Sequence, residues 1–188
     1  MNALDHRLLV YLNSLNSPFW DKVMWFISGK PEWIPLYLFV IWLFWRKYRS
    51  KVWIPVLLAV LGLVLSDQIS VLIKNLVQRF RPTHDPSLKG MLHIVNNYRG
   101  GMYGFVSSHA ANTFAFAALS ASILKNRWFT VFIFIWAVVV SYSRIYLGVH
   151  FPGDVACGAL VGLVSGFGLY FLSRTYLEKN IAVETKVN

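Results

Sequence analysis

The stretch VWIPVLLAVLGLVLSDQISVLIKNLVQ, residues 52–78, decides the fold class of this chain. An α-helix needs about 20 mostly apolar residues to cross the hydrocarbon core of a bilayer, and this run is long enough. Hydrophobic residues make up 56% of the whole chain, and aromatic residues 16%. Because both shares exceed those of an average soluble domain, we interpret the chain as a membrane protein.

Four further apolar runs predict more spanning helices. The first 30 residues carry leucines at near-helical spacing with polar residues between them, which is typical of a helix lying in the membrane interface. Residues 176–188 are expected to be a polar tail. We predict one all-α domain over residues 1–188, a polytopic bundle of about five transmembrane helices with one or more interfacial helices before them. The four further runs cover residues 32–45, 107–124, 128–143 and 154–172.

The formal net charge of +10 favours anionic partners. The basic residues form short clusters between apolar runs rather than a stripe on one face, so lipid headgroups or anionic lipid substrates are better partners than nucleic acid. The single cysteine, Cys157, cannot form an internal disulfide.

Unusual polar residues occur at the ends of the apolar runs. They end the second run, open the third, close the fourth and open the fifth. Because successive spans alternate in direction, these four ends lie on the same face of the membrane. We therefore expect the polar clusters to form one pocket. Their members are Lys74, Arg81, Ser107, Ser108, His109, Arg144, His150 and Asp154.

The cations and hydroxyls of this set are typical of a phosphate site. Lys74 and Arg81 are separated by about two helical turns, so both can point the same way. Ser107 and Ser108 open a helix whose free N–H groups and positive dipole end favour an anion. Arg144 adds a planar guanidinium suited to two phosphate oxygens. A lone Lys74 or Arg81 would be a membrane anchor, but the three clusters together favour phosphate binding.

The two histidines indicate which reaction the site could catalyse. A neutral imidazole can attack phosphorus if its other ring nitrogen donates to a carboxylate, and Asp154 is placed to orient His150 in this way. His109 can then protonate the leaving oxygen. The alternative interpretation of the two histidines and Asp154 is a two-histidine, one-carboxylate metal site, which the nearby cations disfavour.

Three spaced motifs resemble the signature of the type 2 phosphatidic acid phosphatase family, which also includes vanadium haloperoxidases. The second motif differs from the usual Pro-Ser-Gly-His, with Val106 for the proline and Ser108 for the glycine, although Ser108 keeps a backbone N–H. The resemblance implies a phosphohistidine at His150 and a reaction that needs no metal or other cofactor. The motifs are K-x6-RP at residues 74–82, SSH at residues 107–109 and SR-x5-H-x3-D at residues 143–154.

We expect an integral membrane phosphatase that removes the terminal phosphate of a lipid phosphate or diphosphate. The resemblance suggests undecaprenyl diphosphate or lipid A phosphate first, with phosphatidylglycerophosphate and phosphatidic acid as further substrates. A non-enzymatic transporter of lipid phosphates or anions would use the same cations and stays open as the alternative. A haloperoxidase on this scaffold is disfavoured, because the apolar spans indicate a lipid substrate.

The distribution of basic residues favours an active site that faces away from the cytoplasm. The cluster RKYRSK, residues 46–51, lies in a short loop on the opposite face, and short loops rich in lysine and arginine are cytoplasmic. We therefore predict a protein of the bacterial inner membrane whose site faces the periplasm or exterior.

Several polar residues and glycines lie outside the set of predicted site residues. Asp67, inside the second run, is a functional candidate because carboxylates are costly within a membrane. Four glycines of the fifth run predict close helix packing. Polar residues of the loop after the second run are interpreted as loop or headgroup contacts. The glycines are Gly158, Gly162, Gly166 and Gly168, and the loop residues are Arg79, His84, Lys89, His93 and Arg99.

Overall fold

A computed structural model describes the backbone of residues 3–184 and the side chains of residues 3–178. Within this range the chain forms seven α-helices joined by short 3-10 turns, and its only strand-like pairing is an isolated bridge between Phe80 and Tyr103. The prediction of an all-α bundle is confirmed. The helices are α1 (Ala3–Ser14), α2 (Pro18–Ser28), α3 (Ile34–Tyr48), α4 (Trp53–Val77), α5 (Ser108–Leu124), α6 (Arg127–Tyr146) and α7 (Pro152–Glu184).

Three helices of the described range are long and apolar enough to cross a membrane, namely α4, α6 and the Pro152–Glu178 part of α7. Helices α3 and α5 have 15 and 17 residues, which is short of the roughly 20 that a span needs. The count of about five spans therefore stays a prediction. Large apolar side chains such as Leu76, Val164 and Leu172 are exposed on these helices, as expected of a surface that contacts lipid. The chain is an integral membrane protein.

Helix α5 lies at the centre of the bundle, between α4, α6 and α7. Its alanines, among them Ala111 and Ala115, are fully buried. A Cβ atom added at Gly158, Gly162 or Gly166 of α7 would lie under 3.0 Å from a backbone carbonyl oxygen at Ser107, Ala111 or Ala115. The predicted close packing is confirmed for these three glycines. It is wrong for Gly168, which has nothing within 4 Å.

Helix α1 packs its polar face against α6 and α7. The buried residues of α1 are Asp5, Leu9 and Asn13. Asn13 Nδ2 donates to the Tyr146 carbonyl at 2.7 Å, which ties α1 to the end of α6. Of the four leucines of the predicted interfacial stripe, Leu12 is half-buried against the protein and the other three point away from it, and the position of this stripe in the membrane interface stays a prediction. Leu4, Leu8 and Leu15 are all exposed.

The loop between α4 and α5 is tied to the N-terminal helices. His93 Nε2 lies 2.9 Å from Asp21 Oδ2 of α2, and the His93 N–H donates to Asn13 Oδ1 at 2.8 Å. Of the two interpretations of His93, as a loop contact or as a headgroup contact, these bonds agree with the first. Its partners lie 72 and 80 residues away in the sequence, where no local pattern indicates them.

The last helix is longer than predicted. Helix α7 continues to Glu184, so residues 176–184 of the predicted polar tail are helical. No glycine or proline occurs between residues 169 and 184 to end the helix. The rest of that tail lies outside the described residues.

Candidate active site

The structure brings the predicted polar clusters together at one end of the bundle. Lys74 Nζ, near the end of α4, donates to Ser108 Oγ at the start of α5 at 2.9 Å. The buried Ser107 caps α5, and its N–H donates to the Asp154 carbonyl at the start of α7 at 2.9 Å. The loop between α6 and α7 adds His150 to this group. Four helix ends therefore meet here.

Two hydroxyls hold the half-buried Lys74 ammonium in place. Ser108 Oγ accepts its hydrogen bond, and the same oxygen lies 2.7 Å from Ser70 Oγ, one turn before Lys74 on α4. Ser108 stands where the signature sequence has glycine. Its side chain therefore adds a contact that glycine could not make, and this contact links α4 to α5 at the cation.

Arg81 is held by backbone carbonyls. Its N–H donates to the Met102 carbonyl at 2.9 Å, its Nε to the Tyr103 carbonyl at 3.2 Å, and its Nη1 to the Val149 carbonyl at 3.5 Å. Gly100 has φ +68°, a conformation that favours glycine, and a Cβ there would lie 2.7 Å from Arg81 Nη1, so a side chain at this position would displace the guanidinium. Burial, followed by the charge of Arg144, lowers the pKa of Arg81. The Val149 contact places this guanidinium next to His150.

Arg144 is buried, with 3% of its surface exposed. Its guanidinium donates to Ser28 Oγ, and its Nη2 donates to Tyr98 Oη at 3.1 Å. Within the described residues its Nε–H has no hydrogen-bond partner. A buried donor without a partner is costly. This N–H is therefore suited to an anion that enters the site.

His150 and Asp154 are both fully enclosed. His150 Nδ1 lies 3.5 Å from Asp154 Oδ2, which is longer than a good hydrogen bond, and Nδ1 has no other partner among the described residues. The same Oδ2 accepts the Phe151 N–H at 3.1 Å. Burial, and then the positive charges around it, lower the pKa of His150 well below its ordinary value, so the imidazole is neutral. The charges belong to Arg81, Arg144 and Lys74.

Arg79 joins two carboxylates behind His150. Its Nη1 donates to Asp154 Oδ1 at 2.6 Å and its Nη2 to Asp5 Oδ2 at 2.7 Å. Asp5 Oδ1 in turn accepts the Gly153 N–H at 2.9 Å. The interpretation of Arg79 as a loop or headgroup contact is wrong. Two signals could have indicated the pair: Arg79 lies inside the K-x6-RP motif, and Asp5 interrupts a leucine-rich helix.

His109 lies in the first turn of α5, close to the Ser28 backbone and near enough to His150 to interact with it electrostatically. It lines a cavity of about 470 Å³ between α3, α4, α5 and α6. Ser108 lines the same cavity and contacts Lys74, so the cavity opens beside the cationic group. Across residues 3–178, no group of three histidine, cysteine, aspartate or glutamate side chains is arranged to hold a metal ion.

The bundle and its cationic end place this chain among the integral membrane phosphatases. It belongs to the PAP2 superfamily, whose family model matches residues 55–177. The matched region contains all three signature motifs and begins after α1, α2 and α3.

Relatives extend the similarity to the N-terminal helices. The lipid A 4'-phosphatase of Bacteroides thetaiotaomicron is 36% identical over 177 residues, covering 93% of this chain and 79% of that protein. The lipid A 4'-phosphatase of Porphyromonas gingivalis is 34% identical over 176 residues, covering 93% and 73%. A transmembrane PAP2 type phosphatidylglycerolphosphate phosphatase from Bacillus subtilis has the same fold, with a TM-score of 0.75 at 22% identity over 93% of this chain and 88% of that one.

Proposed function

We propose that this phosphatase removes the 4'-phosphate of lipid A or of a closely similar glycolipid, through a phosphohistidine at His150. The observation that carries the reaction is the neutral, buried His150 beside Arg81 and Arg144, because a neutral imidazole among cations is suited to attack a phosphate. The substrate class is supported by the similarity to two lipid A 4'-phosphatases over 93% of the chain.

In the first step His150 attacks phosphorus and the bond from phosphorus to the lipid oxygen breaks. Nδ1 faces Asp154, so the attacking atom is Nε2. The phosphate dianion bound beside His109 favours its protonated form, which gives its proton to the leaving oxygen, and the lipid departs as an alcohol. In the second step water attacks the phosphohistidine while His109 takes a proton from it. Inorganic phosphate leaves, and both imidazoles return to their starting states.

The three cations stabilise the charge of the transferring phosphoryl group. Lys74, Arg81 and Arg144 are each fixed by hydrogen bonds before substrate arrives. Donors that are already oriented need no reorganisation during the reaction, so they stabilise the transition state strongly. The unpaired Nε–H of Arg144 supplies one such donor.

Asp154 orients His150, and Arg79 and Asp5 position Asp154. A carboxylate that must aim an imidazole has to be held in a fixed position, and the Arg79 guanidinium, which donates to Asp154 Oδ1, holds it. Catalytic hydrogen bonds are often long before substrate binds, and the contact between His150 and Asp154 needs to shorten by only a few tenths of an ångström.

We place the protein in the bacterial inner membrane with the site toward the periplasm. Lys47 of the RKYRSK cluster donates to the Ile123 carbonyl at 2.7 Å, and Lys125 pairs with Glu178 at 3.2 Å. These contacts put the cluster at the bundle end opposite the site. Arg79, on the site face, pairs with Asp154. We therefore do not count its charge as a signal for the orientation of the protein in the membrane.

Phosphate release by purified protein in detergent tests the proposed function. The substrates are lipid A, undecaprenyl diphosphate, phosphatidylglycerophosphate and phosphatidic acid. We expect the highest kcat/KM for lipid A and no turnover by His150→Ala, while the loop variant His84→Ala keeps the wild-type rate. Release of no phosphate from any substrate would favour a transporter, and a higher kcat/KM for undecaprenyl diphosphate would replace the proposed substrate.

A further inference from the structure

The cavity beside His109 contains a carboxylate that the reaction does not use. Asp67 of α4 lines it together with Gln68, and α5 contributes Asn112 and Thr113 to its polar wall. Another part of the wall is aromatic and carries Trp33, Tyr37 and Trp136. The cavity therefore combines polar acceptors and donors with flat apolar surfaces.

Asp67 is held in place by a side-chain amide, and Lys30 lines the same cavity. Asn112 Nδ2 donates to Asp67 Oδ1 at 3.1 Å, and Asn112 Oδ1 accepts the Ser66 hydroxyl at 2.7 Å. A carboxylate inside a spanning helix is costly unless it faces water or a polar ligand, and Asp67 is partly exposed to this cavity.

The reaction geometry determines which part of the substrate occupies the cavity, a step that rests on the proposed function. Phosphoryl transfer is roughly in line, so the leaving oxygen lies on the side of phosphorus opposite His150. His109 protonates that oxygen and lines the cavity. The atoms that follow the leaving oxygen therefore enter the space between Asp67 and the aromatic wall.

We infer that this cavity is the leaving-group subsite and that Asp67 selects a lipid whose leaving group carries hydroxyl or amide N–H donors, as a sugar does. A carboxylate accepts such hydrogen bonds strongly. The aromatic wall suits the apolar face of a sugar ring or the start of an acyl chain. A diacylglycerol leaving group has no such donor and leaves the Asp67 carboxylate without a new partner.

The test compares two phosphate monoesters, lipid A and phosphatidic acid, with one purified enzyme. Asp67→Asn keeps the size of the side chain and its bond to Asn112 but removes the charge. We expect it to lower the ratio of kcat/KM for lipid A to kcat/KM for phosphatidic acid about tenfold, which corresponds to about 1.4 kcal/mol. Asp67→Glu keeps the carboxylate and should lower the ratio less.

Ser66→Ala is the matched control, because Ser66 belongs to the same hydrogen-bond network but is fully buried and does not line the cavity. It should keep the wild-type ratio. The ratio does not depend on the folded fraction, since misfolding lowers both rates together. An unchanged ratio in Asp67→Asn, or an equal fall in Ser66→Ala, would overturn the selective role. A wild type that hydrolyses neither lipid would overturn the proposed function itself.

Discussion

Arg79 Nη1 donates to Asp154 Oδ1 across 2.6 Å, and Asp154 is completely buried. The same guanidinium donates to Asp5 on α1, a helix that lies outside the region matched by the family model. The carboxylate that faces His150 is therefore held by a residue of the loop after α4, which is itself held by the N-terminal helix. The N-terminal segment is part of the support of the site.

Removing this support should lower turnover. We expect Arg79→Gln to lower kcat about 100-fold and Asp5→Asn about tenfold, because losses of this size are usual for residues that orient a functional group. KM should change less than kcat, since neither residue contacts the phosphate. The exposed loop variant Arg99→Gln is the control. A wild-type kcat in Arg79→Gln would contradict the proposal that Arg79 positions Asp154 for catalysis.

The low pKa of His150 has a consequence for stability. Burial, together with the neighbouring cations, makes folded His150 bind fewer protons than the unfolded chain, where an imidazole titrates near pH 6.5. The stability that the neutral ring contributes is fully present above that pH and is lost progressively as the pH falls from there toward the folded pKa. Between about pH 7.5 and about pH 5, His150→Gln should therefore lose less apparent Tm than wild type. Parallel losses in the two proteins would contradict a lowered pKa.

Two glycines of α7 test the close packing of α5 against α7, because one lies in the contact and the other, the control, lies outside it. A Cβ at Gly162 would meet the Ala111 carbonyl oxygen and the Ala115 nitrogen, so Gly162→Ala should destabilise the bundle by about 1–3 kcal/mol through overpacking. Gly168 has open space around it, and Gly168→Ala should be neutral or stabilising because alanine is the better helix former. Thermal unfolding in detergent measures both. Equal shifts in apparent Tm would contradict the close contact of α5 and α7.

The proposed orientation is tested by labelling intact cells. Single cysteines replace Ser50 and Ser87 in a Cys157→Ala background, and a membrane-impermeant thiol reagent is added. Position 87 lies on the site face and should react, whereas position 50 should react only after the cells are permeabilised. Labelling of position 50 but not of position 87 would reverse the topology and remove the argument for a periplasmic substrate.

The sequence predicted the helices and the end of the bundle at which the site lies. Apolar length alone indicates α4, α6 and α7, and the alternation of spans brings Lys74, Ser108 and His150 to one end. Such signals are local, or follow from counting spans, so they need no knowledge of packing.

The support of the site could not be predicted in the same way. Arg79 and Asp5 are 74 residues apart, and their pairing depends on how α1 packs against α6 and α7. For Asp67 the sequence predicted a functional candidate but not its role, which we infer from a cavity bounded by four helices. The contact between Ser108 and Lys74 could not be predicted either. The sequence shows only that Ser108 stands in place of the glycine of the family motif.

The most direct test of the proposed chemistry is to trap the phosphoenzyme. Substrate labelled in the phosphate is mixed with the enzyme, the reaction is quenched within one turnover, and label on the protein is mapped by residue. We predict an acid-labile, alkali-stable phosphohistidine at His150 in the wild type, slower formation of the same species in His109→Ala, and no labelled protein in His150→Ala. Label on another residue, or phosphate release by His150→Ala at the wild-type rate, would contradict nucleophilic attack by His150.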